Sequence, residues 1–337
     1  MKPDVNGHTL TNAAAPRRSS APTLSAVLPA YNEAANLLVL LPQLRATLEG
    51  LTPQHEILVV DDGSRDATAD ILRLVADRRL RHVRLSRNFG KEAALSAGLA
   101  RADGQVVVLM DADGQHPPEL ITPMLQAWRD GADVVCAVRK ARADESWLKR
   151  IGSRWFYRLV NSGSSVRIPA DVGDFRLMDR QVVDALNALP ERNRFMKGLY
   201  AWVGFETRVL PYLPAERRQG KSHFSAARLA ALALTGITAF STLPLRIWSA
   251  IGGLVAMVSL SYGAVIVIDV LVSGHPLPGW PTLGAGIMFF GGVQLLSIGV
   301  LGEYVSRIFD EVKQRPLYVV GHDSGKVLPL QAASGDR

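Results

Sequence analysis

Residues 106–116 read VVVLMDADGQH, and this stretch is the most informative part of the sequence. The apolar run 106–110 predicts a buried strand, which ends in the carboxylates of Asp111 and Asp113 with the amide of Gln115 beside them. In an open α/β sheet, ligands bind at the carboxyl ends of the strands. Oxygen ligands of this kind bind a hard divalent cation. The stretch therefore predicts a metal site beside a strand end, with an acidic surface turn as the alternative.

Short apolar runs alternate with helical patterns from residue 24 to residue 138. The predicted strands are 25–29, 55–60, 81–85, 106–110 and 132–138, and the predicted helices are 36–48, 66–76 and 91–102, with Asp66 as the N-cap of the second helix. Strands that alternate with helices predict a Rossmann-like α/β fold, with a mostly parallel sheet and helices on both faces.

Composition excludes several classes of protein. The chain has 337 residues, of which 48% are hydrophobic, and a net charge of +7. Its single cysteine, Cys136, excludes an internal disulfide and a cysteine-based zinc site. No Gly-x-Gly-x-x-Gly follows the first strand, and no nucleic-acid-binding signature is present. The basic excess therefore suits anionic phosphates or an anionic membrane surface.

The last third of the sequence is apolar enough to enter a membrane. Residues 247–272 carry one charge and residues 281–302 carry none, so each stretch can span a bilayer. Lys and Arg flank the pair and are absent from the short connector, which predicts a hairpin with both ends in the cytoplasm. Two buried helices of a soluble core are the alternative. Glycines on both stretches also suit a homo-oligomer.

The expected organisation has six parts. These are a disordered tail (1–22), a cytoplasmic catalytic domain (23–227), an interfacial amphipathic helix (228–245), two transmembrane helices (246–273 and 281–303) and a cytoplasmic tail (304–337).

Other predicted strands also end in polar residues. Tyr31 and Glu33 suit stacking on a nucleobase and hydrogen bonding to ribose, and residues 61–64 add a carboxylate pair and a tight turn. Residues 88–91 open a helix, so free backbone N–H groups and Lys91 can contact phosphate. Together these strand ends predict a site for a nucleotide diphosphate and a metal.

These motifs resemble the family 2 glycosyltransferases, and more closely the polyisoprenyl-phosphate glycosyltransferase group. That group includes dolichyl-phosphate mannose synthase and the bacterial undecaprenyl-phosphate glucosyl- and aminoarabinosyl-transferases. The matching stretches are LPAYNE (28–33), VDDGSRD (60–66), SRNFGK (86–91), DADGQHPPE (111–119), DVGDFRL (171–177), RNRF (192–195) and Arg217-x-x-Gly220-x-Ser222. The resemblance implies a glycosyltransferase A-type fold followed by an interfacial helix and a two-helix transmembrane hairpin.

The resemblance also implies roles for individual residues. The donor nucleotide-sugar would be bound by Pro29, Tyr31, Glu33, Asp61, Asp62, Lys91, Asp111, Ala112, Asp113, Gln115 and Arg217. Mg²⁺ or Mn²⁺ would be held by Asp111, Asp113 and Gln115, and the catalytic residues would be Asp113, Asp174 and Arg176. The candidates for the acceptor phosphate are Arg139, Arg150, Arg154, Arg176 and Ser222. His223 stands where relatives often have Lys, which puts a phosphate contact from that position in doubt.

The implied activity is an inverting transfer from a nucleotide-diphosphate sugar, with a UDP-sugar favoured, to a polyisoprenyl phosphate such as undecaprenyl phosphate. The product would serve cell-envelope glycans or lipid modification, and the enzyme would be a multi-pass protein of the bacterial cytoplasmic membrane. One alternative is a family 2 transferase that acts on a hydroxyl of a sugar polymer or glycolipid. The other is a non-catalytic membrane scaffold with the same fold.

Overall fold

The computed structural model describes residues 18–75, 77–139, 172–192, 194–212 and 279–327, with isolated positions between 248 and 272. The strands are β1 (Leu24–Ala30), β2 (His55–Asp61), β3 (Leu80–Leu85), β4 (Val106–Leu109), β5 (Val134–Arg139), β6 (Val172–Asp179), β7 (Thr207–Tyr212) and β8 (Val320–Asp323). The helices are α1 (Ala34–Leu51), α2 (Thr68–Leu74), α3 (Lys91–Leu99), α4 (Ile121–Arg129), α5 (Arg180–Ala188), α6 (Met196–Trp202) and α7 (Trp280–Val312), with a 3₁₀ turn at Pro118–Leu120.

The strands form one sheet in the order β7-β5-β6-β4-β1-β2-β3-β8. The four strands β4-β1-β2-β3 run parallel, as expected, and β1 to β5 confirm the five predicted strands within two residues at each end. The prediction of a mostly parallel sheet was too simple, because β6 runs antiparallel between β4 and β5, and β8 runs antiparallel to β3. The sheet is mixed, and β6 brings its first residues to the edge of the sheet where β4 ends.

Helices cover both faces of the sheet, which confirms that expectation. Successive residues of β4 point to opposite faces, so that Val108 joins one buried cluster and Val107 the other. The first cluster packs against α1 and α4, where Trp128 is fully buried. The second packs against α3, α5 and α6, with Leu95 at its centre. Both faces are closed, so the strand ends are where the sheet can offer polar groups to a ligand.

The helix after β2 differs from its prediction. Helix α2 begins at Thr68 and is shorter than 66–76, and its N-cap is Ala67 rather than Asp66. The Asp66 carboxylate instead accepts hydrogen bonds from the N–H and hydroxyl of Thr68, at 3.0 and 2.6 Å, and from the N–H of Ala34 at 3.2 Å. Asp66 therefore ties the starts of α1 and α2 together.

Helix α7 is longer than the predicted span 281–303, since it continues to Val312. Within the described residues, one helical segment is long and apolar enough to cross a membrane, Phe289–Val312, with 24 residues. The first predicted span is described only at isolated positions, and the predicted interfacial helix 228–245 and tail residues 1–17 lie outside the described residues. A two-helix hairpin is therefore not confirmed.

The chain returns to the sheet after α7. The region 304–337, expected as a tail, contains β8, which pairs with β3 and is held by a bidentate ion pair between Arg81 and Asp323 at 3.0 and 2.9 Å. The end of α7 is also fastened, because the Arg192 side chain donates to the carbonyls of Gln314 and Arg315. The chain that follows the apolar helix is thus attached both to the loop after α5 and to the sheet.

Candidate active site

The Asp-x-Asp stretch forms a tight turn directly after β4. Gly114 has a φ of +72°, which favours glycine, and the N–H of Gln115 donates to Asp113 Oδ1 at 3.0 Å. The buried ring of His116 folds back, so that its Nδ1 accepts from the N–H of Asp111 at 3.0 Å while it stacks on Phe175 at 4.8 Å. His116 therefore holds the turn against β6. This structural role was missed by the sequence reasoning.

Three side chains from three elements meet at this turn. Lys91 Nζ lies 2.6 Å from Asp111 Oδ1 and 2.7 Å from Asp174 Oδ2. Asp174 reaches the turn because β6 runs antiparallel to β4 and pairs Arg176 with Leu109, so residues before Arg176 extend past the end of β4. The cluster joins a metal-ligand candidate, a catalytic candidate and a phosphate-contact candidate.

The charges of this cluster stabilise one another. Burial alone would lower the pKa of the Lys91 ammonium, but Asp111 and Asp174 outweigh it and raise that pKa above its ordinary value. Burial alone would raise the pKa of Asp174, but the ion pair with Lys91 outweighs it and the pKa falls below its usual range. Asp174 is therefore an anion at neutral pH, and its ammonium partner keeps its proton.

Asp62 fixes the backbone that directly precedes Lys91. Its two carboxylate oxygens accept the N–H groups of Phe89 and Gly90 at 2.7 and 2.9 Å, and burial raises its pKa. The N–H groups of residues 88–91 were expected to be free for phosphate, and this is wrong for Phe89 and Gly90 because Asp62 accepts both of their N–H groups. Asp62 was expected to bind the donor, yet within the described residues its carboxylate serves the loop that leads into α3.

A second layer of titratable groups lies beneath the cluster. Arg176 is only 2% exposed, and its side chain donates to the carbonyl of Gly173 at 2.8 Å and lies 3.4 Å from the ring centroid of Tyr200. Glu92 accepts the N–H of Met196 at 3.1 Å, and burial, reinforced by Asp174, raises its pKa to about 7. Glu92 was not among the predicted site residues. Its position directly after Lys91 at a helix start was the only signal.

The loops after β1 and β2 are tied to each other. The N–H of Asn32, a residue with φ of +56°, donates to Ser64 Oγ at 2.9 Å. Asp61 is fully buried, and burial alone would raise its pKa. The nearby His82 ring at 3.8 Å, the hydrogen bond from the Ser64 N–H at 2.7 Å and the Arg84 guanidinium at 3.4 Å lower the pKa instead. Tyr31 is 41% exposed and so presents an aromatic face to solvent at the strand ends.

The remaining predicted residues divide into three groups. Pro29 and Ala112 are buried residues at the ends of β1 and β4. The Glu33 carboxylate accepts a hydrogen bond from Asn36 Nδ2 at 2.6 Å. Arg139 ends β5, but its side chain is not described. The other candidates, including the His223 position, lie outside the described residues: Arg150, Arg154, Arg217, Ser222 and His223.

A basic cavity of about 570 Å³ lies beside the β2 loop and was also missed. The alternation of His82 and Arg84 along β3 was a signal for it, since both side chains point to the same face. The basic side chains that line it are Arg65, Arg73, His82, Arg84, Arg87 and His322.

Within the part of the chain that the structure describes, the acidic turn does not bring together a complete set of protein ligands for a metal ion. Among the described residues, no group of three or more His, Cys, Asp and Glu side chains is arranged to hold a metal ion. Mg²⁺ is commonly bound by one or two carboxylates and completed by substrate phosphates. The side-chain oxygens of Asp111, Asp113 and Gln115 therefore fit a divalent cation whose coordination shell would be completed by a bound diphosphate.

Comparison with known proteins identifies the family. The family model described as glycosyl transferase family 2 matches residues 25–186. A bactoprenol glucosyl transferase derived from the SfII prophage of Shigella flexneri is 47% identical over 299 residues, covering 88% of this chain and 97% of that protein. The chain belongs to glycosyl transferase family 2. It is therefore a glycosyltransferase, and the matched region contains the cluster of Lys91, Asp111 and Asp174.

Other relatives in the family span similar lengths. An uncharacterized glycosyltransferase of Synechocystis is 44% identical over 313 residues, covering 91% of this chain and 98% of that protein. A prophage bactoprenol glucosyl transferase homolog of Escherichia coli is 43% identical over 299 residues, covering 88% and 98%. Among solved structures, a mannosyltransferase from Pyrobaculum calidifontis in complex with GDP-Man and Mn²⁺ matches with a TM-score of 0.47 and 18% identity, covering 87% of each chain.

Proposed function

We propose that the protein is a membrane-bound, inverting transferase that moves a sugar from a UDP-sugar to a polyisoprenyl phosphate, undecaprenyl phosphate in a bacterial membrane. Relatives named bactoprenol glucosyl transferase, 43–47% identical over nearly their whole length, favour a lipid acceptor and make UDP-glucose the first donor to test. The observation that carries the proposal is the cluster of Lys91, Asp111 and Asp174 at the sheet edge, in a chain with an exposed apolar helix.

The donor would lie across the ends of β1, β2 and β4. Tyr31 offers a face for stacking, and Glu33 and Asp61 lie at the loops that would surround the nucleoside. Asp62 acts in this scheme through the loop that it anchors. Arg217 would approach the diphosphate from outside the described residues.

Asp111, Asp113 and Gln115 would hold Mg²⁺ or Mn²⁺. When bound, the cation would act as a Lewis acid that neutralises charge on the leaving diphosphate. Lys91 would supply a second positive charge to the diphosphate, since its ammonium lies beside the acidic turn. The leaving group would therefore meet positive charge without any proton transfer.

The acceptor needs no general base. A phosphate monoester is already an anion at neutral pH, with a second pKa of about 6. One of its oxygens forms the new bond to the anomeric carbon while the bond from that carbon to the diphosphate oxygen breaks, and the nucleoside diphosphate leaves with the electron pair. The residues mainly position two anions. Asp174 fits this scheme as the anion that orients Lys91.

Arginines are proposed to bind the acceptor phosphate. Arg139, Arg150, Arg154 and Ser222 remain the candidates for direct contact. Arg176 is buried against Tyr200, so we assign it to supporting the β6 end below Asp174 rather than to first contact. This is a positioning role.

The apolar helix would place the site at the membrane surface. Residues 246–273 and 281–303 are proposed as a hairpin, with the catalytic region and both termini in the cytoplasm, because the flanking charges follow the positive-inside rule. The described part of α7 exposes large apolar side chains such as Leu295 and Leu301, 71% and 55% exposed, as a helix in lipid does. An acceptor phosphate at the headgroup level would then be within reach.

The test is transfer of radiolabelled sugar to undecaprenyl phosphate by the purified full-length protein in detergent. A panel of UDP- and GDP-sugars is supplied with Mg²⁺, with Mn²⁺ or with a chelator. We expect one donor to give a lipid-linked product that the chelator abolishes and that Asp113→Ala lowers by at least about a hundredfold. Asp130→Ala removes an exposed carboxylate at the end of α4 and is the matched control. Polymer or free sugar as the only product would overturn the lipid acceptor.

A further inference from the structure

The ammonium of Lys91 lies where a cation bound to Asp111 would also have to lie. It contacts Asp111 Oδ1 at 2.6 Å and Asp174 Oδ2 at 2.7 Å, so it bridges the two carboxylates. Both distances are those of charge-assisted hydrogen bonds. A second cation on the same oxygen of Asp111 would meet this ammonium at close range and be repelled by it.

The backbone holds Lys91 in this place. Lys91 is the first residue of α3, and the preceding N–H groups of Phe89 and Gly90 are fixed by Asp62 at 2.7 and 2.9 Å. Gly90 takes a φ of +98°, which sets the sharp entry into the helix. The base of the side chain is therefore fixed, while the side chain as a whole is 44% exposed and so can be reached by a ligand.

We propose that Lys91 is a placeholder cation, which occupies the acidic turn in the free enzyme and moves to the donor diphosphate when the divalent cation and donor bind together. This assignment rests on the function proposed above. It makes Lys91 a positioning residue that couples metal binding to donor binding. The divalent cation alone binds poorly, since it competes with Lys91 for Asp111.

Charge balance supports this coupling. The carboxylates of Asp111, Asp113 and Asp174 with the ammonium of Lys91 carry a local charge of −2. A divalent cation that arrives together with the two negative charges of a sugar-nucleotide diphosphate leaves this charge unchanged. Among the described residues, Glu92, Arg176, Lys197 and Tyr200 also interact with Asp174 through space. They do not bridge the two carboxylates as Lys91 does.

The test is Mn²⁺ binding to the full-length protein in detergent, followed by electron paramagnetic resonance, with and without UDP. In wild type we expect weak binding that UDP strengthens. In Lys91→Met, Mn²⁺ binding without UDP should tighten about tenfold, and the strengthening by UDP should shrink by a similar factor. Lys91→Gln supplies a second neutral variant in case the first does not fold.

Lys197→Met is the matched control. It removes a positive charge that acts on Asp174 without bridging to Asp111, so its Mn²⁺ affinity should stay within about twofold of wild type. Equal Mn²⁺ affinity in wild type and both Lys91 variants would overturn the placeholder role while leaving the proposed function standing. Absence of Mn²⁺ binding to every form, even with UDP, would instead overturn the metal-dependent reaction and the placeholder role with it.

Discussion

Glu92→Gln gives the sharpest prediction about the layer beneath the site. Glu92 is half-buried near Asp174 and accepts the N–H of Met196 at 3.1 Å, and its pKa is raised from 4.5 to about 7. Glutamine keeps an acceptor for that N–H and cannot ionise. The substitution therefore isolates the cost of placing a charge at this position.

The direction in which stability changes with pH follows from proton linkage. Between pH 4.5 and about 7 the folded protein keeps a proton on Glu92 that the unfolded chain has lost, so wild-type stability falls as pH rises through this window. The raised pKa corresponds to a loss of about 3 kcal/mol above pH 7 as an upper bound. Glu92→Gln should match wild type at pH 4.5 and exceed it by up to this amount at pH 8.

Thermal unfolding of both proteins in detergent at pH 4.5 and pH 8 measures the difference. For a catalytic region of this size, about 3 kcal/mol corresponds to a rise in Tm of about 6–12 °C at pH 8. Glu119→Gln, which alters an exposed carboxyl, is the control and should not change Tm at either pH. A Glu92→Gln protein that is no more stable than wild type at pH 8 would refute the reasoning.

Four further substitutions test the scaffold, three by denaturant or thermal unfolding and one by limited proteolysis. Asp62→Ala leaves two backbone N–H groups without their acceptor and should cost about 2–4 kcal/mol; no loss would mean that the loop does not depend on Asp62. Gly63→Ala would place a Cβ 2.5 Å from the backbone of Arg87, at a φ of +67°, and should cost more than about 2 kcal/mol of stability. Gly114→Ala has a similar φ of +72° but no atom within 4 Å of the added Cβ, so it should cost about 1 kcal/mol. Equal costs would contradict the close approach at Gly63. Asp323→Asn weakens the ion pair with Arg81, so β8 should become sensitive to limited proteolysis. The same ion pair lowers the pKa of Asp323 to about 2, so the wild-type protein should lose its protection against proteolysis at β8 as pH falls from about 4 to 2. An unchanged cleavage pattern would count against this role.

Sequence patterns sufficed for the centre of the sheet. The strands β1, β2 and β4 are fully buried, and each contains an apolar run that is followed by polar residues. Such runs are visible because every position in them avoids water. The prediction that polar strand ends meet at one edge is confirmed for Asp111 and Lys91, which are 2.6 Å apart.

The outer strands could not be found in the same way. β6 carries Asp174 and Arg176 among its apolar residues, because it supplies the site as well as the sheet. The four residues of β8 include Gly321 and His322, and pairing with β3 and the ion pair of Asp323 hold this strand. Neither strand has the uninterrupted apolar or strictly alternating pattern that predicts one.

The side-chain pairings within the site were also hidden. Asp62 reads as a ligand residue because it follows a strand, but its partners belong to a loop 27 and 28 residues further along the chain. Lys91 and Asp174 approach each other only because β6 lies next to β4. Such contacts depend on strand order, which local patterns do not contain.

The most direct test of the proposed reaction compares undecaprenyl phosphate with undecaprenol as acceptors. The two lipids share the chain and differ in the phosphate, and the purified full-length protein receives UDP-glucose and Mn²⁺ with either one. If the nucleophile is an already ionised phosphate oxygen, only undecaprenyl phosphate should be glucosylated, with a rate that is flat above the second pKa of the phosphate, about 6. Comparable transfer to the hydroxyl of undecaprenol would contradict a mechanism without a general base.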